Sequence, residues 1–111
     1  MGKGRLSESF VGSLIVTLCG SRKYAAVFET VELALSKQGV IVLKPAFSDE
    51  VLTPIELQNL RQTHLKKIDL ADEVVVINVA GYIGERTRQE IGYAQRQHKR
   101  IRYYAVTENE H

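Results

Sequence analysis

The sequence predicts an α/β fold in which helices cover both faces of a parallel sheet. Short apolar runs rich in β-branched residues alternate along the chain with longer segments of helical periodicity. Turn and cap residues separate the two kinds of segment. The predicted order is β-α-β-α-β-α-β, without an internal repeat or a linker. Because the apolar runs lack polar alternation, the strands are predicted to be buried on both faces of the sheet.

The first half of the domain is predicted to contain a buried strand, a helix and a short second strand. The strand covers 14–19, a continuous apolar run. The helix covers 24–38, because apolar residues recur there at helical spacing and Gly39 supplies a C-terminal stop. The second strand covers 40–43. The residues of this helix that are predicted to face the core are Val27, Phe28, Val31, Ala34 and Leu35.

The second half begins with a clear helix start. Thr53-Pro54-Ile55-Glu56 matches a capping box with proline at the first helical position, so a helix is predicted from there to about Leu70. A third strand is predicted over 73–79, a third helix over 85–98 and a final strand over 101–106. The second and third helices are predicted to turn inward the residues Leu57, Leu60, His64, Leu65, Ile68, Thr87, Ile91 and Ala94, and the second helix to turn outward Arg61, Lys66 and Lys67.

These elements predict a flavodoxin-like, doubly wound three-layer sandwich with a four- to five-stranded parallel sheet. A chain of 111 residues has the length of one domain. We expect residues 13–107 to form this single α/β domain, residues 1–12 a flexible leader and residues 108–111 a C-terminal tail. In such sheets ligands bind beyond the carboxyl ends of the strands. That rule selects 20–23, 44–47 and 78–90 as candidate ligand-binding segments.

Composition narrows the classes of partner. A formal net charge of +2 is too small to indicate nucleic-acid binding, and apolar runs of only a few residues indicate no membrane partner. The single cysteine excludes an intramolecular disulfide framework and a cysteine-rich zinc site, and is typical of the reducing cytoplasm. The histidines and carboxylates lack the short spacings of zinc and calcium motifs, so neither a metal nor another cofactor is predicted.

The turn after the first strand is a candidate anion site. Gly20, Ser21, Arg22 and Lys23 join a buried strand to a helix start, where backbone N–H groups, a hydroxyl and two cations can face a phosphate. The alternative is an ordinary strand-to-helix turn in which Ser21 is the N-cap.

The loop after the third strand is a second candidate. Gly81 and Gly84 flank Tyr82, whose ring is suited to stack on a base. The alternative is a simple turn with Ile83 packed in the core. Two further candidate substrate-binding residues fall in the same ligand-binding segment, Asn78 and Thr87.

Glu90 is the best candidate for a reactive carboxylate, because it borders the inward face of the third helix near that helix's start. The alternative is a surface pair with Arg86, four residues earlier. His64 is a candidate catalytic residue or, alternatively, a core histidine with satisfied hydrogen bonds. Cys19 is most simply a small buried apolar residue.

Three segments together resemble the nucleoside 2-deoxyribosyltransferase superfamily, which includes the 2'-deoxynucleoside 5'-monophosphate N-glycosidases. They are 17–22 (TLCGSR), 70–76 (LADEVVV) and 90–94 (EIGYA), and the resemblance extends over about 14–104. It implies that Glu90, the glutamate of the E-x-G-x-A motif, attacks the anomeric carbon of the sugar. It also implies that Gly20 and Ser21 hold the 5' end or phosphate of the substrate, with Arg22 or Lys23 nearby.

The sequence departs from the family pattern at the acid that usually helps to protonate the leaving base. The closest position here is occupied by His64, and the nearest acids further along the chain are Asp69 and Asp72. The implied function is an N-glycosidase or deoxyribosyltransferase-like enzyme that cleaves the base-sugar bond of a nucleotide or nucleoside. The alternative is a non-catalytic nucleotide-binding or signalling module of the same fold. The implied partners are a small-molecule nucleotide or nucleoside and a second copy of the chain, giving a homodimer.

Overall fold

The computed structural model describes residues 15–106 and confirms the predicted fold class. Within this part of the chain, four parallel strands form one sheet in the order β2-β1-β3-β4. The predicted leader (1–12) and tail (108–111) lie outside the described residues. The strands are β1 (Ile15–Cys19), β2 (Ile41–Leu43), β3 (Glu73–Val79) and β4 (Arg100–Val106), and the helices are α1 (Ala25–Ser36), α2 (Pro54–Leu70) and α3 (Glu85–Arg96).

The two faces of the sheet carry separate cores. On β3, Val75 and Ile77 point to the α1 side, whereas Val74 and Val76 point to the side of α2 and α3. This alternation explains why the run 74–77 of this strand is apolar without interruption. The α1 side is completed by Val16, Leu18, Val27, Phe28, Val31 and Leu35, and the opposite side by Cys19, Ile68, Ala94 and half-buried Leu65, Ile91 and Ile101.

Several predicted boundaries needed correction. Helix α1 begins at Ala25, because Arg22–Tyr24 form a 3-10 turn capped by Ser21. Helix α3 ends at Arg96 instead of His98, which adopts a left-handed φ of 59° that a helix does not accommodate. Ala34 was predicted to face the core but is exposed.

Helix α2 begins with the predicted capping box. Thr53 Oγ1 accepts from the backbone N–H of Glu56, and Glu56 Oε1 accepts from that of Thr53. Only the second half of the helix packs on the sheet, with His64 and Ile68 as its buried residues. Leu57, predicted to face the core, is 41% exposed. His64 already contacts the last residue of β1, so the turns before it extend past the end of that strand.

Among the helices of residues 15–106, none is both long and apolar enough to cross a membrane.

Candidate active site

A cavity of about 420 Å³ lies beyond the carboxyl ends of β1 and β3. The chain leaves β1 toward one neighbouring strand and reaches β3 on its other side, so the strand order reverses here. This is where doubly wound sheets bind ligands. The turn after β1, the loops after β2 and β3, and helices α2 and α3 all contribute walls. Of the predicted site residues, the cavity is lined by Gly20, Ser21, Arg22, His64, Tyr82, Gly84, Thr87 and Glu90.

The turn after β1 is a capped strand-to-helix turn that also faces the cavity. Ser21 Oγ accepts from the backbone N–H of Lys23 at 3.1 Å, so it caps the 3-10 turn, and Ser21 also lines the cavity. Gly20 has a φ of +157°, and a Cβ there would lie 3.0 Å from side-chain atoms of both Ile77 and Phe28. Glycine therefore allows the turn to pass close over the sheet.

The cations of this turn point in different directions. Arg22 lines the cavity and its Nη2 donates to Asp49 Oδ1 at 3.0 Å, with both side chains solvent-exposed. Lys23 lies outside the cavity lining. Its Nζ is 4.9 Å from the ring centroid of Tyr82 and 5.6 Å from that of Tyr24. Lys23 therefore contacts the rings of Tyr82 and Tyr24 and does not line the cavity.

The loop after β3 is a tight turn that folds back on its own strand. Ala80 and Gly81 have φ values of 52° and 80°, and the backbone N–H of Tyr82 donates to the carbonyl of Val79 at 2.9 Å. The Tyr82 ring thereby becomes a cavity wall, although the residue is 45% exposed. Gly81 and Asn78 do not line the cavity. Asn78 Oδ1 is buried and has no hydrogen-bond partner among the described residues.

Three side chains from three different elements meet beside the cavity, which His64 and Glu90 line and Cys19 does not. Nε2 of His64 lies 3.4 Å from Sγ of Cys19 and 3.4 Å from Oε1 of Glu90. Cys19 is fully buried, and the side chains of His64 and Glu90 are 6% and 15% exposed. Strand β1, helix α2 and helix α3 each supply one of these groups, so their positions are fixed by packed elements and not by loops.

Burial raises the pKa of the Cys19 thiol well above its usual value, and the Glu90 charge and a hydrogen bond to Glu90 raise it further. Cys19 is therefore a neutral thiol at neutral pH and not a free thiolate nucleophile. Glu90 pairs with His64, and the alternative pair with Arg86 does not occur among the ion pairs of residues 15–106. Nδ1 of His64 is buried without a hydrogen-bond partner in that same part of the chain.

The sequence interpretation missed one wall of the cavity. Arg61 and Arg86 approach from α2 and α3, and Leu57 and Leu60 line the cavity beside Arg61. The sequence contained a signal for this wall, because residues 57, 60, 61 and 64 share one helical face. Helical periodicity instead predicted a core position for Leu57 and Leu60 and a solvent-exposed position for Arg61.

The two acids that follow His64 in the sequence have other contacts. Asp69 Oδ1 accepts from the Tyr93 hydroxyl at 2.7 Å, and Asp72 Oδ2 accepts from the backbone N–H of Ile15 at 3.0 Å. Neither lines the cavity. The two predicted catalytic residues, His64 and Glu90, thus lie side by side, and neither of the two acids lines the cavity with them.

The fold of this chain also occurs among solved structures. The chain is similar in structure to a 2-desoxiribosyltransferase from Leishmania mexicana, with a TM-score of 0.65 and 18% sequence identity over 83% of this chain. The chain spans 64% of the length of that protein. No protein-family model and no curated protein matches the sequence. The similarity establishes a shared α/β fold.

Proposed function

We propose that this protein is an N-glycosidase or deoxyribosyltransferase-like enzyme that cleaves the base-sugar bond of a nucleotide or nucleoside. The observation that carries the proposal is the position of Glu90. Its carboxylate is mostly buried, lies 3.4 Å from His64 Nε2 and lines the cavity at the strand ends. The structural similarity to a 2-desoxiribosyltransferase adds support from the fold.

The proposed chemistry uses Glu90 as the nucleophile. A carboxylate oxygen attacks C1' of the sugar, the bond from C1' to the base nitrogen breaks, and the base leaves with the electron pair. Protonated His64 gives its Nε2 proton to the departing base, in the role of general acid. Water then attacks C1' of the glycosyl ester, His64 takes the water proton, and Glu90 is released as a carboxylate. A second base in place of water makes the same site a transferase.

The cavity walls suit a substrate with an anionic end and a flat end. Arg22, Arg61 and Arg86 line the cavity, and charge-assisted hydrogen bonds to phosphate are the contacts that guanidinium groups make best. Tyr82 offers a ring on which a base can stack. In this proposal the phosphate lies near Ser21 and Arg22. Arg22→Gln should then raise KM for nucleoside monophosphates and leave KM for nucleosides nearly unchanged.

The decisive experiment follows free base by chromatography after incubation with a panel of nucleotides and nucleosides. Glu90→Gln keeps the shape of the side chain but removes the charge and the nucleophile, so base release should fall by orders of magnitude. Glu29→Gln is the matched control, because Glu29 is an exposed residue of α1 outside the cavity. His64→Asn should reduce the rate by roughly a hundredfold, the usual contribution of a general acid. Base release by Glu90→Gln at the wild-type rate would contradict the proposal.

One observation favours a second candidate, a nucleotide-binding module without catalysis. Neither Asp69 nor Asp72, the acids that follow His64 in the sequence, lines the cavity, so neither is placed to protonate a leaving base. Wild-type protein that binds nucleotides in calorimetry but releases no base from any of them identifies the module.

A further inference from the structure

The cluster of Cys19, His64 and Glu90 offers one sulfur, one nitrogen and one oxygen donor. These donor atoms all lie within 4.8 Å of one another, and the two distances from His64 Nε2 are both 3.4 Å. The residues are 26 or more positions apart in sequence, which is why no short ligand motif is visible. The fold alone brings them together.

The spacing of the donors corresponds to a zinc coordination sphere. Donors that lie about 2.0 to 2.3 Å from a single ion at tetrahedral angles are about 3.3 to 3.6 Å from each other. Both distances from His64 Nε2 fall in that range. The Cys19 sulfur and a Glu90 oxygen lie within 4.8 Å of each other, so side-chain movement of about 1 Å brings that pair into the same range.

The chemistry of the donors selects the type of ion. Thiolate, imidazole and carboxylate are the three ligand types that Zn²⁺ takes in proteins. Mg²⁺ and Ca²⁺ require shells made almost entirely of oxygen, and this cluster supplies oxygen only through Glu90. The preference is therefore for a borderline or soft divalent ion, and Mg²⁺ should not compete.

We propose that Cys19, His64 and Glu90 form a zinc site with three protein ligands and a fourth position that opens into the cavity. When Zn²⁺ binds, the Cys19 S–H bond breaks, its proton passes to solvent and a Zn–S bond forms, without a change of oxidation state. Nε2 of His64 donates its lone pair to the ion, and one oxygen of Glu90 completes the protein ligands. Three protein ligands and one open position are typical of catalytic zinc, not of structural zinc.

The inference goes beyond the proposed glycosidase activity and does not rest on it. The two would use Glu90 differently, because an oxygen bound to Zn²⁺ is not free to attack a sugar carbon. Zinc-loaded protein should therefore release no base. Whatever glycosidase activity the protein has should be found only in its metal-free form. The open position of the ion would instead accept water or an anionic ligand from the cavity.

Titration of metal-free protein with Co²⁺ tests the site directly. One equivalent should bind, with a near-ultraviolet thiolate-to-cobalt charge-transfer band and the intense visible bands of a tetrahedral ion. Zn²⁺ should abolish both, whereas excess Mg²⁺ should leave them unchanged. Cys19→Ser should lose the charge-transfer band, and His64→Ala and Glu90→Gln should each weaken binding about tenfold or more.

The control is His98→Asn, since His98 is an exposed histidine with a left-handed φ that asparagine tolerates. This variant should bind Co²⁺ as the wild type does, and circular dichroism should show that every variant is folded. Absence of Co²⁺ binding, or a charge-transfer band that survives Cys19→Ser, overturns the zinc site. Base release by metal-free protein that does not bind Co²⁺ overturns this inference alone, and Co²⁺ binding by protein whose metal-free form releases no base contradicts the glycosidase proposal alone.

Discussion

The carboxylate of Glu73 is fully buried at the start of β3 and accepts a hydrogen bond from the guanidinium of Arg102 on β4. Arg100 also approaches the same oxygen, at 4.0 Å. Strands β3 and β4 are therefore joined by an ion pair in addition to their backbone ladder. A buried carboxylate that loses its partner becomes an uncompensated charge.

Removal of Arg102 should therefore destabilise the fold strongly. We expect Arg102→Met to lower the free energy of unfolding by about 3 kcal/mol, measured by urea denaturation, because Glu73 is left buried without its main partner. Arg100→Met is the matched control and should cost much less, since Arg100 is 60% exposed and lies further from the carboxylate. Equal losses for the two variants would show that the hydrogen bond to Arg102 contributes nothing specific.

The close packing of Gly20 leads to a second prediction. Gly20→Ala combines an unfavourable φ with contacts of 3.0 Å to Ile77 and Phe28, so it should cost about 2 to 4 kcal/mol of unfolding free energy. Gly39→Ala is the comparison without close contacts, because Gly39 has a φ of +87° but no atom within 4 Å of an added Cβ. It should cost about 1 kcal/mol. Thermal unfolding of both variants gives the comparison, and a smaller loss at Gly20 than at Gly39 would contradict it.

The Tyr93 hydroxyl provides a pH-dependent test. Its hydrogen bond to Asp69 raises the pKa of Tyr93 above its ordinary value, with smaller contributions from desolvation and from the Asp69 charge. Because the folded pKa is the higher one, the stabilisation is fully present below the unfolded pKa of about 10 and is lost as pH rises through the folded value. NMR titration of labelled tyrosines should show Asp69→Asn lowering the Tyr93 pKa. Asp49→Asn, remote from Tyr93, should leave it unchanged.

The start of α2 leads to the prediction of a dimer. Val51, Ile55 and Leu57 are 100%, 62% and 41% exposed within one short stretch beside the cavity. Burial of such apolar side chains against a second copy removes them from water. Light scattering should give twice the 12.5 kDa chain mass. Ile55→Glu should shift the protein to monomer, whereas Leu33→Glu, at an exposed leucine of α1, should not; a monomeric wild type at micromolar concentration would refute the dimer.

Local sequence patterns were sufficient to predict the elements of the fold. Strand β3 follows from the uninterrupted run Val74-Val75-Val76-Ile77, and the start of α2 follows from the reciprocal hydrogen bonds that Thr53 and Glu56 can form. Both signals depend on residues that are neighbours along the chain. For that reason they can be recognised without knowledge of the tertiary structure.

The site was less predictable because its relationships are tertiary. Helical periodicity predicts that Leu57 lies on the same helical face as His64. It does not reveal that the sheet ends before it reaches Leu57, which is why this residue is exposed. Similarly, the pairing of Glu90 with His64, and not with Arg86, depends on the approach of α2 to α3, which local spacing cannot reveal. The donor cluster at Cys19 requires β1 as well, so it becomes visible only when three elements are placed in space.

The reciprocal hydrogen bonds at the start of α2 have a consequence for the energetics of the cavity. Within a single chain, the turns before His64 bury little apolar surface, so their helical structure there depends mainly on the cap formed by Thr53 and Glu56. Such a segment can unfold locally at a small fraction of the global free energy, as a separate cooperative unit. A ligand that contacts Arg61 or Leu57 would order this unit as it binds. The affinity of the ligand would therefore be lowered by the conformational entropy that the helix loses on ordering. Protection of the α2 amides from hydrogen exchange would report occupancy of the cavity.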